Sequence, residues 1–189
     1  MKKHVLTLLL FCIVAGHINA QKLTGGIKGG LNIADVSSMN GDNRLSGHFG
    51  FFLNSRLNRN WAIQPELLYS GQGQQFVSAG REYTLALNYL QVPIMFQFYP
   101  AKQVYLEFGP QVGFMLSAKI KDNENDNKTE VDNGYKNVDA GLALGFGIQA
   151  TPMLGFYARY NAGLSDITKN DNGDYYNRVG QIGISIKFK

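Results

Sequence analysis

The sequence predicts an all-β fold: an eight-stranded antiparallel up-and-down transmembrane β-barrel. Three observations predict it. Apolar and polar residues alternate with period 2 across residues 21–189, the connectors alternate between long and tight, and no apolar run after residue 20 is long enough for a membrane-spanning helix. A bilayer admits only structures whose backbone groups bond internally. For a chain without apolar helices, the closed barrel is the solution that remains.

The N-terminus reads as a cleaved signal peptide over residues 1–20, leaving 21–189 as one barrel domain. Lys2 and Lys3 form a basic start, Val5 to Ala15 is apolar apart from Thr7, and Ile18-Asn19-Ala20 ends on the small residue that a signal peptidase requires. The apolar run is about half of what a spanning helix needs. Phe11 before Cys12 does not fit a lipoprotein signal. Cys12 is the only cysteine, so the mature chain holds neither a disulfide nor a reactive thiol. Loss of Lys2 and Lys3 lowers the formal charge from +4 to +2, and no basic run follows, so nucleic acid is not an expected partner. Charged residues make up 17%, below the roughly 25% of soluble domains, while 22 Gly, 12 Phe and 10 Tyr favour strands.

Eight strands follow in order. Leu23 to Ile33 sets Leu23, Ile27, Leu31 and Ile33 against Lys28 and Asn32. Leu45 to Leu57 sets Phe49, Phe51, Leu53 and Leu57 against His48, Gly50, Asn54 and Arg56. Trp61 to Tyr69 opposes Ile63 and Leu67 to Gln64 and Glu66. Tyr89 to Tyr99 opposes Val92, Ile94 and Phe96 to Gln91 and Gln97. Val104 to Ala118 is the cleanest, with Leu106, Phe108, Val112, Phe114 and Leu116 on one face and Tyr105, Glu107, Gln111, Met115 and Ser117 on the other. Val138 to Ala150, Leu154 to Leu164 and Gln181 to Phe188 complete the set, with Arg159 and Lys187 on polar faces. The polar face is rich in Gly and Gln, which suits a narrow lumen. A soluble barrel would instead turn Lys, Glu and Thr to water. Trp61, Tyr69, Tyr99 and Tyr160 lie near strand ends, where membrane barrels carry aromatic girdles.

The connectors 34–44, 71–84, 119–137 and 166–177 are long and polar, and those between them are tight turns. Membrane barrels have short periplasmic turns and long outer loops, which makes these four the candidate partner-binding segments. Asp122, Glu124 and Asp126 imitate the start of a calcium loop, but Asn127 stands where Gly is expected and Asn133 where Glu is expected.

Alternation collects Lys28, Arg56, Glu66, Glu107, Arg159 and Lys187 on the inward face. Charges in so narrow a bore must be paired, so these six predict a structural plug bridged by Gln64, Gln91, Gln111 and Tyr105. His48, the one histidine after residue 20, has Ser46 nearby but no third member of a catalytic set, and a lone His makes a poor metal site. No catalytic, cofactor or metal site is expected.

Several stretches resemble the PorT-like outer-membrane β-barrel family of Bacteroidota. They are Tyr89-Leu90-Gln91-Val92-Pro93-Ile94 with Tyr99-Pro100, Glu107-Phe108-Gly109-Pro110-Gln111-Val112-Gly113-Phe114, Ala158-Arg159-Tyr160, Gly163-Leu164-Ser165-Asp166-Ile167, and Ile182-Gly183-Ile184-Ser185-Ile186-Lys187-Phe188. The resemblance implies a small barrel integral to the outer membrane and no shared catalytic residues. The expected function is a non-enzymatic structural or interaction role through the outer loops, as a monomer surrounded by outer-membrane lipid. A small porin or transport or secretion component using the polar lumen is the alternative, and a lipid-modifying enzyme at the rim is the third reading.

Overall fold

The computed structural model describes residues 23–37, 41–125, 127–169 and 175–188. The predicted signal peptide lies outside them. Nine strands form: β1 Leu23–Val36, β2 Asp42–Arg56, β3 Trp61–Ser78, β4 Arg81–Phe98, β5 Val104–Asp122, β6 Lys128–Glu130, β7 Val138–Gln149, β8 Leu154–Gly163 and β9 Asn177–Lys187. Around the ring the order is β4-β3-β2-β1-β9-β8-β7-β5, and pairing of β4 with β5 closes it. Every neighbour is antiparallel, with β1 closing on β9 from Gly26↔Lys187 to Val36↔Asn177. The ring therefore has the eight strands predicted, while β6 hangs on the outer end of β5 alone. Closure leaves no open edge in the ring.

The faces sort as the alternation requires. Phe49, Phe51, Leu106, Phe108, Leu144, Phe146, Ile182 and Ile184 point outward, while Lys28, Asn32, Gln64, Glu66, Gln97, Glu107, Arg159 and Gln181 are buried in the bore. The bore is tight enough to require glycine opposite its larger side chains. A Cβ on Gly147 would stand 2.2 Å from the ring of Tyr105, its register partner. At the periplasmic end the turns are locally determined. Asn58 Oδ1 accepts from the amides of Asn60 and Trp61, and Thr151 Oγ1 accepts from those of Met153 and Leu154.

The outer ends correct the sequence reading. The segment 71–84 is not a loop: β3 and β4 pair continuously out to Ser78↔Arg81 and turn through Ala79 and Gly80. The first connector shrinks from 34–44 to the residues between Val36 and Asp42. Within 119–137, β5 runs on to Asp122, and β6 and a 3-10 turn at Asp132–Gly134 occupy much of the rest. A spanning strand needs only about 9–11 residues; β3 and β4 have 18 and β5 has 19. Their surplus stands above the membrane as folded sheet. It is held there by an apolar cluster of Val36, Leu85, Leu87, Tyr89, Ala118 and Ile167, with Phe76, Met115, Ile120, Val131, Tyr135 and Tyr175 against it.

Candidate functional site

The bore holds a charge-balanced cluster drawn from four strands. Arg159 on β8 grips Glu66 on β3 with two bonds, Nη1 to Oε2 and Nη2 to Oε1, both 2.8 Å. Its Nε donates to Glu107 Oε1 on β5 at 2.8 Å. Lys28 Nζ on β1 donates to Glu66 Oε1 at 3.0 Å, and it lies 3.9 Å from the centre of the Tyr157 ring, a cation–π contact. The paired side chains are 0–2% exposed. Two cations and two anions leave no net charge, which is how so low a dielectric site tolerates them.

Amides complete the shell. Gln64 Nε2 donates to Glu66 Oε1 at 2.8 Å, and Gln97 Nε2 to Glu107 Oε2 at 3.1 Å. Asn54 Nδ2 donates to both Gln64 Oε1 and Gln97 Oε1 at 2.9 Å, and the Tyr99 hydroxyl to Gln97 Oε1 at 2.8 Å. Above the cations, His48 Nδ1 donates to Asn32 Oδ1 at 2.6 Å, and its Nε2 accepts from the Tyr157 hydroxyl. Asn32 Nδ2 in turn donates to Ser70 Oγ at 3.0 Å and Gly71 O at 2.7 Å.

Of the six predicted lumen residues, Lys28, Glu66, Glu107 and Arg159 meet. Arg56 and Lys187 do not: they sit half-buried at the periplasmic mouth, and neither pairs with a described carboxylate. Arg56 instead stacks 3.4 Å over Tyr99. Tyr99 shares the inward parity of Gln97 and is buried, so it is not part of the girdle, which Trp61 supplies with Phe98 and Phe108, their ring centres 5.0 and 6.4 Å from its own. Among the predicted bridging groups Gln64 bonds an acid. Tyr105 stacks on Tyr99 at 5.3 Å, Gln111 Oε1 has no partner among the described atoms, and Gln91 lies further toward the outer end, opposite Gly113. Tyr157, Asn32, Asn54 and Gln97 were not singled out, although their parity in the alternation placed them inside.

Ser46 Oγ donates to Gly71 O at 2.7 Å, so the Ser46 and His48 side chains bond elsewhere and form no dyad. Asp122 Oδ1 accepts from the Glu124 amide at 2.9 Å, and Arg81 approaches both carboxylates at 3.9 and 3.7 Å. These contacts shape a turn; Asp126 lies outside the described residues.

At the outer end Asp166 staples two segments together. Its Oδ2 accepts from Lys136 Nζ at 2.8 Å, and its Oδ1 from the amides of Thr168 and Tyr175, both 3.1 Å, and from Thr168 Oγ1 at 3.0 Å. These bonds, the Lys136 ammonium first, hold its carboxyl far below the usual carboxylate range. The bridge Tyr135↔Thr168 ties the same two segments over the apolar cluster.

Residues 19–169 match the model of a family described as "Outer membrane protein beta-barrel domain". Among solved structures, the attachment invasion locus protein Ail of Yersinia pestis is similar at a TM-score of 0.52 and 14% identity, covering 87% of this chain and 98% of Ail. Ail in complex with the heparin analogue sucrose octasulfate aligns at 0.50 and 17%, covering 88% and 99%. Neisserial surface protein A aligns at 0.51 and 12%, covering 88% and 97%. At these identities the likeness speaks for the fold. A search of curated proteins by sequence finds no match.

Proposed function

This chain belongs to the outer membrane protein β-barrel domain family, and from that premise we propose that it is a non-enzymatic interaction protein whose folded outer rim holds a partner while its bore stays shut. Within the family we place it with the PorT-like barrels on the stretches quoted above, as a monomer exported by a cleaved leader at residues 1–20. One observation carries the reading. The bore is filled twice over, by the balanced cluster of Lys28, Glu66, Glu107 and Arg159 and by the apolar cluster beneath the rim, while β3, β4 and β5 continue outward as structured sheet. Eight-stranded barrels leave an interior that side chains can fill. The contact surface is then the β3–β4 hairpin and its neighbours, a preformed shape rather than a set of flexible loops.

Two measurements test this. The purified protein in planar bilayers is expected to give no steady conductance; stable open-channel currents would favour the porin alternative. Affinity capture from detergent-solubilised outer membranes is expected to retain a partner. That partner should be lost when Phe76 to Tyr83 is replaced by Asn-Gly, which closes the hairpin on the pair Gln75↔Thr84. Identical capture by both proteins would refute a role for this rim.

A further inference from the structure

The lipid-facing wall is not evenly filled. On β1 the outward positions Ile27 and Leu31 flank Gly29, whose register partners are Phe49 on β2 and Ile184 on β9. Over Gly29 a groove of about 870 Å³ runs across β8, β9, β1 and β2, walled by Ile27, Leu31, Phe51, Phe156 and Ile184 among others. With the tight turns periplasmic, the lining residues 182–186 of β9 and 156 of β8 lie toward the periplasmic ends of their strands, while Gly29 and its partner Phe49 stand near the middle of β1 and β2. Hydrocarbon is the solvent at this depth, so an acyl chain is the occupant that the chemistry supplies.

The periplasmic end also carries charge of a single sign. Among the described residues it holds Arg56, Arg59, Lys102 and Lys187 and no Asp or Glu; the acids nearest to it are Glu66 and Glu107, already paired inside the bore. Two of these four bases end the groove's own strands, and a third lies in the turn beside them. Arg56 ends β2, Arg59 is exposed in the turn that follows, and Lys187 ends β9. Lys102 lies between β4 and β5, on the opposite wall of the ring.

We propose that this groove is a specific site for one anionic phospholipid of the inner leaflet, with an acyl chain laid over Gly29 and the phosphate met by Arg59. Arg56 and Lys187 at the adjacent mouth add positive potential. The inference rests on the outer-membrane location and is independent of the rim's role.

The test is native mass spectrometry of the full-length protein released from nanodiscs of equal phosphatidylcholine and phosphatidylglycerol, with folding checked by the gel shift on heating. The wild type is expected to retain one lipid, with phosphatidylglycerol in excess. Arg59→Gln should cut that excess about fivefold, the factor matching about 1 kcal/mol for one basic residue at an anionic surface. Lys102→Gln makes the same charge change in the same leaflet and should leave the excess intact. Gly29→Leu should abolish retention. Because its Cβ would stand 3.1 Å from His48 O, Ile184→Trp is the second groove-filling variant. The proposal is overturned if the wild type retains no lipid or both lipids equally. It is also overturned if Lys102→Gln acts like Arg59→Gln, or if folded groove-filling variants keep the lipid.

Discussion

Removing Arg159 should do more damage than any other single change in the bore. Arg159→Ala deletes both bonds to Glu66 and the Nε bond to Glu107. Glu66 keeps Lys28 at 3.0 Å and Gln64 at 2.8 Å, but Glu107 keeps only Gln97 at 3.1 Å. The cluster then carries one excess negative charge, and Glu107, at 0% exposure, has no cation. Breaking a buried pair costs about 3–5 kcal/mol. With a urea slope of about 1–3 kcal/mol per molar, the unfolding midpoint of the barrel in detergent or vesicles should fall by at least about 1 M. Lys28→Met should cost least among the four charges, because Glu66 retains the guanidinium fork. The double variant Arg159→Met with Glu107→Gln leaves Lys28 and Glu66 balanced, so it should recover much of the loss. Leu116→Ala, outward and 55% exposed, is the control, since lipid or detergent fills its gap. If Arg159→Ala shifts the midpoint no further than Leu116→Ala, or if the double variant is merely additive, charge balance is not what holds the bore.

Three further outcomes are expected. Ala79 sits at φ 50° in the β3–β4 turn, where a left-handed conformation costs a residue with a Cβ about 1–2 kcal/mol. Ala79→Gly should therefore slow hydrogen exchange of the hairpin amides, and unchanged or faster exchange would mean that the turn is unstrained. Asp166 is held ionised in the folded state far below its unfolded range, so its contribution is present above the ordinary carboxylate pKa and lost as pH falls toward the lower folded value. Asp166→Asn should accordingly speed proteolysis of the outer segments at neutral pH, with the gap from wild type narrowing in acid; a gap that is constant with pH would refute the staple. Finally, an edgeless ring should resist detergent until heated, so unheated and boiled samples should migrate differently on a detergent gel, whereas identical migration would contradict closure.

Much of the barrel is legible because the lipid belt imposes one rule on every strand, apolar outside and polar inside. The periplasmic strand ends were therefore read nearly to the residue: Trp61, Val104 and Leu154 each begin a strand as expected. Above the belt that rule reverses. Along β4 the inward face passes from Gln97 and Gln91 to Tyr89, Leu87 and Leu85, and along β1 from Lys28 and Asn32 to Val36. Outside is now water and inside is an apolar core, so continuous sheet loses its membrane signature and reads as loop. A bulge adds to this. Asn88 pairs with Ser117 and Tyr89 with Met115, which leaves Leu116 extra in β5 and turns Ala118 rather than Ser117 to the interior. In the bore, parity alone placed Lys28, Glu66, Glu107 and Arg159 together. It could not say that Arg56 would find Tyr99 instead of an acid, because depth along the bore depends on stagger between strands, which a single strand's pattern does not contain.

The four charges of the bore are separated by 38, 93 and 52 residues along the chain at their Lys28–Glu66, Arg159–Glu66 and Arg159–Glu107 contacts. None of these contacts can form within one hairpin. A nascent sheet holding only β1 to β5 would carry Glu66 and Glu107 against Lys28 alone, one carboxylate in excess, and bringing it into hydrocarbon would bury that charge unanswered. Only the arrival of β8 cancels it. Charge balance alone would therefore favour inserting the ring only once β8 has joined it.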